Sequence, residues 1–153
     1  MTVMSALFAF LHHLAAFALV AALAIELVLL RADLTIDNAR KVIRVDGVYG
    51  IAAGVLLVVG LLRVFYFEKG AAYYFHSGPF LLKLALFITV GLASIYPTVT
   101  FLSWRSAVGK GQAPQVDPGR LRTLRRIVHA ELAAVAVILL CAALMARGIG
   151  QIT

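Results

Sequence analysis

Two glutamates, Glu26 and Glu131, lie inside apolar runs that are each long enough to cross a bilayer. An ionised group costs roughly 2.5–3.5 kcal/mol at the centre of a membrane helix, so each carboxyl group is expected to face a partner or a cavity. A carboxyl group held in this way can accept and release protons. It can equally form an ion pair with Arg or His on a neighbouring helix. Both interpretations stay open from the sequence.

The histidines are the other side chains that could bind a cofactor. At 100° per residue, His12 lies within about 40° of Glu26 on the first helix, whereas His13 points to the nearly opposite side. Small residues between His12 and Glu26 would allow a flat ligand or a neighbouring helix to approach. His12 is therefore predicted to face the bundle interior, either as a ligand or as a hydrogen-bonded histidine. His129 lies at a different depth, so one haem cannot bind both His12 and His129.

The elements that position these residues are predicted from composition and hydropathy. The chain has 153 residues, of which 63% are hydrophobic and 14% charged, and its mean hydropathy is +0.98. Runs of about 20 apolar residues span a bilayer, and four such runs are present. They cover approximately residues 5–30, 47–67, 80–104 and 127–146. The sequence therefore predicts an all-α, polytopic four-helix membrane bundle, with residues 1–153 forming one transmembrane domain.

The basic residues predict the orientation of this bundle. They are concentrated in the first and third connections: Arg31, Arg40, Lys41, Arg44, Arg105, Lys110, Arg120, Arg122, Arg125 and Arg126. The second connection contains only Arg63 and Lys69, with Lys83 just inside the third helix. Because Lys and Arg are enriched in cytoplasmic loops, both termini are expected on the outer, periplasmic side. The formal net charge of +7 is thus assigned to membrane topology and not to nucleic-acid binding.

Matching depths predict two polar layers, an outer and an inner one. The outer layer contains His12, His13, Arg63, Lys83 and Met145. The inner layer contains Glu26, Asp46, Tyr49, Tyr96, His129 and Glu131. Arg63 and Lys83 could hold the propionates of a haem or porphyrin, because cationic side chains bind carboxylates strongly in a low dielectric. The inner layer could relay protons, which makes Glu26, Glu131 and Tyr96 the candidate catalytic residues.

Two further motifs limit the possible chemistry. Cys141 is the only cysteine, so an internal disulfide and a multi-cysteine metal centre are excluded within this sequence. Gly50 and Gly54 form a GxxxG pair in the second helix, which is predicted to pack closely against another helix.

The whole chain resembles a family of uncharacterised bacterial four-helix membrane proteins. The resemblance rests on the segments LHHLAAFALVAALAIELVLLR, RVDGVYGIAAGVLLVVGLLRVFYFEKGAAYY and KLALFITVGLASIYPTVTFL. It implies a multi-pass protein of the bacterial cytoplasmic (inner) membrane.

More distantly, the organisation is similar to the four-helix, haem-containing membrane protoporphyrinogen oxidase. The matching residues are Leu11 with His12, Lys83 with Leu84, and Arg126 followed by Glu131. This resemblance implies that His12 is the metal ligand of a haem b and that Lys83 contacts the porphyrin or a propionate. The chain departs from the oxidase pattern late in the third helix, where Tyr96 and Pro97 stand at the position of a histidine.

Three classes of function follow from these features. The first is an integral membrane haem-binding or porphyrin-related redox protein. The second is a noncatalytic assembly or accessory subunit, with a second copy or a membrane complex as partner besides the lipid bilayer. The third is a proton-coupled small-solute carrier, for which the sequence lacks the internal repeat that is common in carriers. Whether the protein is an enzyme stays open.

Overall fold

The computed structural model describes residues 3–67 and 71–150, and within these ranges the chain is helical without a β-strand. The helices are α1 (Val3–Arg31), α2 (Ile36–Leu62), α3 (Ala71–Phe75), α4 (Gly78–Ala93), α5 (Ile95–Ser103), α6 (Arg105–Gly109) and α7 (Pro118–Ala146). A π-helical segment, Arg63–Phe67, continues α2. Four stretches are long and apolar enough to span a membrane: Val3–Arg31, Ile36–Tyr66, Gly78–Gly109 and Pro118–Ala146. The predicted all-α membrane fold with four spanning helices is confirmed.

Two of the spanning helices begin well before the apolar runs that predicted them. Helix α2 starts after Thr35, whose side chain accepts a hydrogen bond from the Asn38 N–H at 3.2 Å. Helix α7 starts after Asp117, whose carboxylate caps the helix at 2.8 Å from the Gly119 N–H. Because their first turns are polar, a hydropathy window finds only the part of each helix that crosses the lipid. Both helices therefore begin with a polar segment that precedes the apolar run.

The third span is divided into α4, α5 and α6 by breaks at Ser94 and Trp104. Pro97 explains the first break, since proline has no N–H to donate and its ring clashes with the carbonyl group four residues earlier, at Ala93. The Ser94 hydroxyl donates to the Gly91 carbonyl oxygen at 2.8 Å, which satisfies a carbonyl near the end of α4. The buried face nevertheless continues through this break, because Val90 of α4 and Pro97 and Phe101 of α5 are all buried and lie on one side of the helix.

The packing order of the helices leaves a gap on one side of the bundle. Helix α1 packs against both α2 and α7, and α4 packs against α7. Helix α2 meets the third span mainly through α5 and α6. The buried face of α1 carries Ala15, Leu19, Ala22, Leu23 and Glu26, as the helical phase of His12 and Glu26 predicts. The bundle is therefore closed at the level of α5, which contacts both α2 and α7. At the level of α4, helices α2 and α4 are separated by a gap.

Candidate functional site

The gap between α2 and α4 forms a cleft of about 570 Å³ whose floor is made by α1 and α7. Gly47, Gly50 and Gly54 of α2 and Gly91 of α4 line its walls. A Cβ atom built at any of these glycines would have no heavy atom within 4 Å outside its own local backbone. The GxxxG pair does not pack closely against another helix in the described residues. Its glycines instead widen the cleft.

His12 lies at one end of this cleft, where its imidazole ring contacts the backbone of α2. A Cβ atom at Gly60 would lie 3.4 Å from His12 Cε1, so glycine makes room for the ring. The Nδ1 atom of His12 is buried and has no hydrogen-bond partner among residues 3–67 and 71–150. His13 is exposed, and its Nδ1 atom lies 2.6 Å from the Ala9 carbonyl oxygen. The two neighbouring histidines face different surroundings, as their helical phase predicts.

A second cavity of about 450 Å³ adjoins the cleft at the His12 end, and we call it the basic chamber. Its polar lining comprises His12, His13, Arg63, Lys83, Tyr73 and Tyr74, together with the thioether of Met145. The structure thus brings together every residue of the predicted outer layer. His12, Gly60, Val64 and Lys83 line both cavities. An apolar cleft and a cationic chamber therefore meet at His12.

Three buried carboxyl groups lie near the other end of the cleft, and we call them the carboxyl cluster. Glu26 of α1, Asp46 of α2 and Glu131 of α7 are 2%, 6% and 3% exposed. Glu26 and Glu131 both lie within reach of the charge of Asp46. Asp46 Oδ1 accepts a hydrogen bond from the Thr98 hydroxyl at 2.8 Å. Within the described part of the chain, Glu26 Oε1 and Glu131 Oε1 are buried without a hydrogen-bond partner.

The alternative in which these glutamates form structural ion pairs is not found. Neither glutamate is paired with a Lys, Arg or His side chain in the described ranges. Arg125 instead donates from Nε to the Leu30 carbonyl oxygen at 2.6 Å, and His129 is exposed. A pair such as Lys41 with Asp37, at 2.6 Å, occurs on the exposed first turns of α2. Glu26 and Glu131 therefore lack a cationic partner among the described residues.

Tyr96 is not part of the cleft wall that Asp46 lines. Its side chain is 42% exposed, because it lies roughly 100° around the helix from the buried Pro97 and Phe101 face. Tyr49 of α2 is 5% exposed, lines the cleft and interacts electrostatically with all three carboxyl groups. The spacing of Tyr49, three residues after Asp46, already places both side chains on one face of α2. From the sequence alone, this spacing indicates that Tyr49, and not Tyr96, is the tyrosine next to the carboxyl cluster.

The arrangement also restricts the kind of metal chemistry that the described residues support. No group of three or more His, Cys, Asp or Glu side chains in residues 3–67 and 71–150 is arranged to hold a metal ion. The carboxyl cluster is thus not a metal centre formed by side chains alone. His12, next to a large apolar cleft, is suited to a cofactor that brings its own ligands.

Comparison with known proteins places the chain in a family. A family model described as "Predicted membrane protein (DUF2214)" matches residues 4–150, which is nearly the whole chain. No curated protein and no solved structure matches.

Proposed function

We propose, from the premise that the chain belongs to this family of predicted membrane proteins (DUF2214), that it binds a haem or a related porphyrin in the cleft between α2 and α4. One observation carries the proposal: His12 lies where an apolar cleft meets a chamber that contains Arg63 and Lys83. A porphyrin has the matching chemistry, since it is a flat apolar ring with carboxylates along one edge.

The residues present fit such a group in size and chemistry. A cleft of about 570 Å³ lies within the range that small-molecule sites occupy. The glycines of α2 leave a wall without side chains for a flat ring. His12 has a buried ring nitrogen with no described partner, and a histidine is a common axial ligand of haem iron.

The chain's own residues would bind and orient the group. His12 would bind the iron of a haem b, and Arg63 and Lys83 would hold its propionates by charge-assisted hydrogen bonds. The bound iron would supply one-electron redox chemistry, while the apolar walls of the cleft would exclude water from the ring. The likeness to protoporphyrinogen oxidase remains a prediction from three short motifs.

Two other functions use the same cavities differently. A proton-coupled carrier of small solutes is favoured by the layout, because a cationic chamber and a carboxyl cluster lie near opposite ends of one cleft. An accessory subunit would insert a partner helix along Gly50 and Gly54, since small residues allow close helix approach.

One experiment separates both alternatives from haem binding. The protein is expressed with ample haem and purified in mild detergent. If it shows no stoichiometric Soret band, the haem proposal fails and one of the two alternatives is favoured.

Filling the cleft tests where the ligand binds. In Gly54→Leu, the added side chain projects into the cleft without meeting an existing atom within 4 Å of its Cβ. We expect haem affinity to fall at least about tenfold, or about 1.4 kcal/mol, while the protein still folds. Gly109→Leu is the matched control, because Gly109 has equally open surroundings but lies outside the cleft. Titration of the Soret absorbance with haem measures both variants, and equal affinity in the two would place the ligand elsewhere.

Orientation in the membrane is tested with reporter fusions. The excess of Lys and Arg in the first and third connections predicts that a reporter at Gly111 is cytoplasmic. A reporter after Thr153, which like Lys69 lies outside the described residues, is expected on the outer side. Alkaline phosphatase activity paired with a cytoplasmic fluorescent reporter measures both positions. The reverse pattern would place the basic chamber on the cytoplasmic side.

A further inference from the structure

We propose that Glu26, Asp46 and Glu131 form one proton-exchanging site and that Asp46 is its opening to the cleft. The site takes protons as its ligand, and binding or releasing a proton at these carboxyl groups involves no change of oxidation state. This site is distinct from the proposed haem site, because side chains of the protein form it without a cofactor.

Burial and missing partners together support a site that exchanges protons. The three carboxyl groups come from three different helices, so the fold and not a local sequence motif assembles them. Glu26 Oε1 and Glu131 Oε1 each lack a hydrogen-bond partner in the described residues. A buried carboxyl oxygen without a partner is costly, which is typical of functional sites. Binding a proton removes the charge that makes such a buried carboxyl group costly.

Asp46 differs from the two glutamates because its side chain is in contact with the cleft. It lines the cleft, as do Tyr49, Ser94 and Thr98, whereas neither glutamate is part of the cleft wall. The Thr98 hydroxyl fixes Asp46 by donating to Oδ1. Protons that move between the cleft and the glutamates would therefore pass through Asp46.

Other charged and titratable groups near the cluster come from α2, α6 and α7. Tyr49 on α2 faces all three carboxyl groups, and the charge of Arg105, at the start of α6, acts on Asp46. On α7, Arg125 is engaged by the Leu30 carbonyl oxygen. Arg105 is therefore the cation whose charge reaches the cluster through its cleft-lining member.

Infrared titration of the purified protein tests whether the three groups form one site. The carboxyl stretching bands are followed against pH in wild type and in Asp46→Asn, which keeps the shape and removes one titrating group. We expect the midpoints of the remaining buried carboxyl groups to move by about one pH unit or more, as coupled titrations require. Asp33→Asn, an exposed control, should leave the midpoints in place. Unmoved midpoints in Asp46→Asn would overturn the single-site proposal.

Hydrogen–deuterium exchange tests the opening. After transfer to D₂O, the carboxyl bands of Glu26 and Glu131 should exchange roughly 10²-fold more slowly in Asp46→Asn, the lower end of what a positioned acid–base group contributes. Thr98→Val retains every carboxyl group and releases Asp46 from its hydrogen bond, so it should also slow the exchange, though less. Unchanged exchange in either variant would exclude Asp46 as the opening. If Asp46→Asn does not accumulate, Thr98→Val decides. Neither readout depends on haem, so failure here and failure of the proposed function are distinguishable.

Discussion

Replacing His12 with alanine should remove most of the bound haem. The variant loses the imidazole at the junction of the cleft and the basic chamber, and loss of an axial ligand changes both affinity and spin state. We expect affinity to fall by roughly two orders of magnitude, equivalent to about 2.7 kcal/mol, with a shift of any remaining Soret band. Absorption spectra of haem-titrated protein in mild detergent measure this change.

Neighbouring positions supply the controls for His12. His13→Ala and His129→Ala remove exposed imidazoles and should leave the haem spectrum intact. Lys83→Ala should weaken haem retention more mildly, since it removes one carboxylate contact and leaves the axial ligand. An unchanged spectrum at full occupancy in His12→Ala, together with haem loss in His13→Ala or His129→Ala, would show that His12 is not the ligand.

If the carboxyl cluster exchanges protons as proposed, glutamine at Glu26 or at Glu131 should slow proton transfer by roughly 10²–10⁴-fold without unfolding the protein. The amide keeps the shape of the side chain but cannot titrate, and a positioned acid–base group contributes roughly 10²–10⁴-fold to a proton-transfer rate. No described ion pair is lost in either variant, so thermal stability in detergent should be nearly unchanged. Proton uptake that accompanies chemical reduction of the bound haem measures the effect.

The two possible roles of these glutamates predict different failures. If they stabilise the bundle, both variants should fail to accumulate or should melt much earlier than wild type. Asp33→Gln, at an exposed position in the first connection, is the control for a general effect of losing a carboxylate. Full proton uptake in stable Glu26→Gln and Glu131→Gln proteins would remove both residues from the proton path.

The features that the sequence predicts best are those that depend on a single helix. The phase between His12 and Glu26 depends on α1 alone, and the structure buries that face and exposes His13. Depth along each helix was likewise enough to predict which residues line the basic chamber. Depth depends only on the rise per residue and on the residue at which each span starts.

Features that depend on how helices pack could not be predicted in the same way. Tyr96 has a depth that suits the inner layer, but it lies off the face of α5 that Pro97 and Phe101 bury against the bundle. The GxxxG pair specifies a face without side chains, and only the order of the helices decides whether that face meets a helix or a cleft. Because α2 contacts α5 and α6 and stays apart from α4, the glycines line a cavity.

The separation of α2 from α4 also determines the phase from which a ligand arrives. Both walls of the cleft are helices long and apolar enough to span a membrane, so in a bilayer a ligand would reach the gap between them sideways, from the hydrocarbon layer. A molecule that enters there has already partitioned into lipid and approaches by diffusion in two dimensions. The quantity that sets occupancy is thus its mole fraction in the bilayer. Detergent tails compete for the same gap, and a lipid nanodisc preserves the solvent that the cleft is built to face.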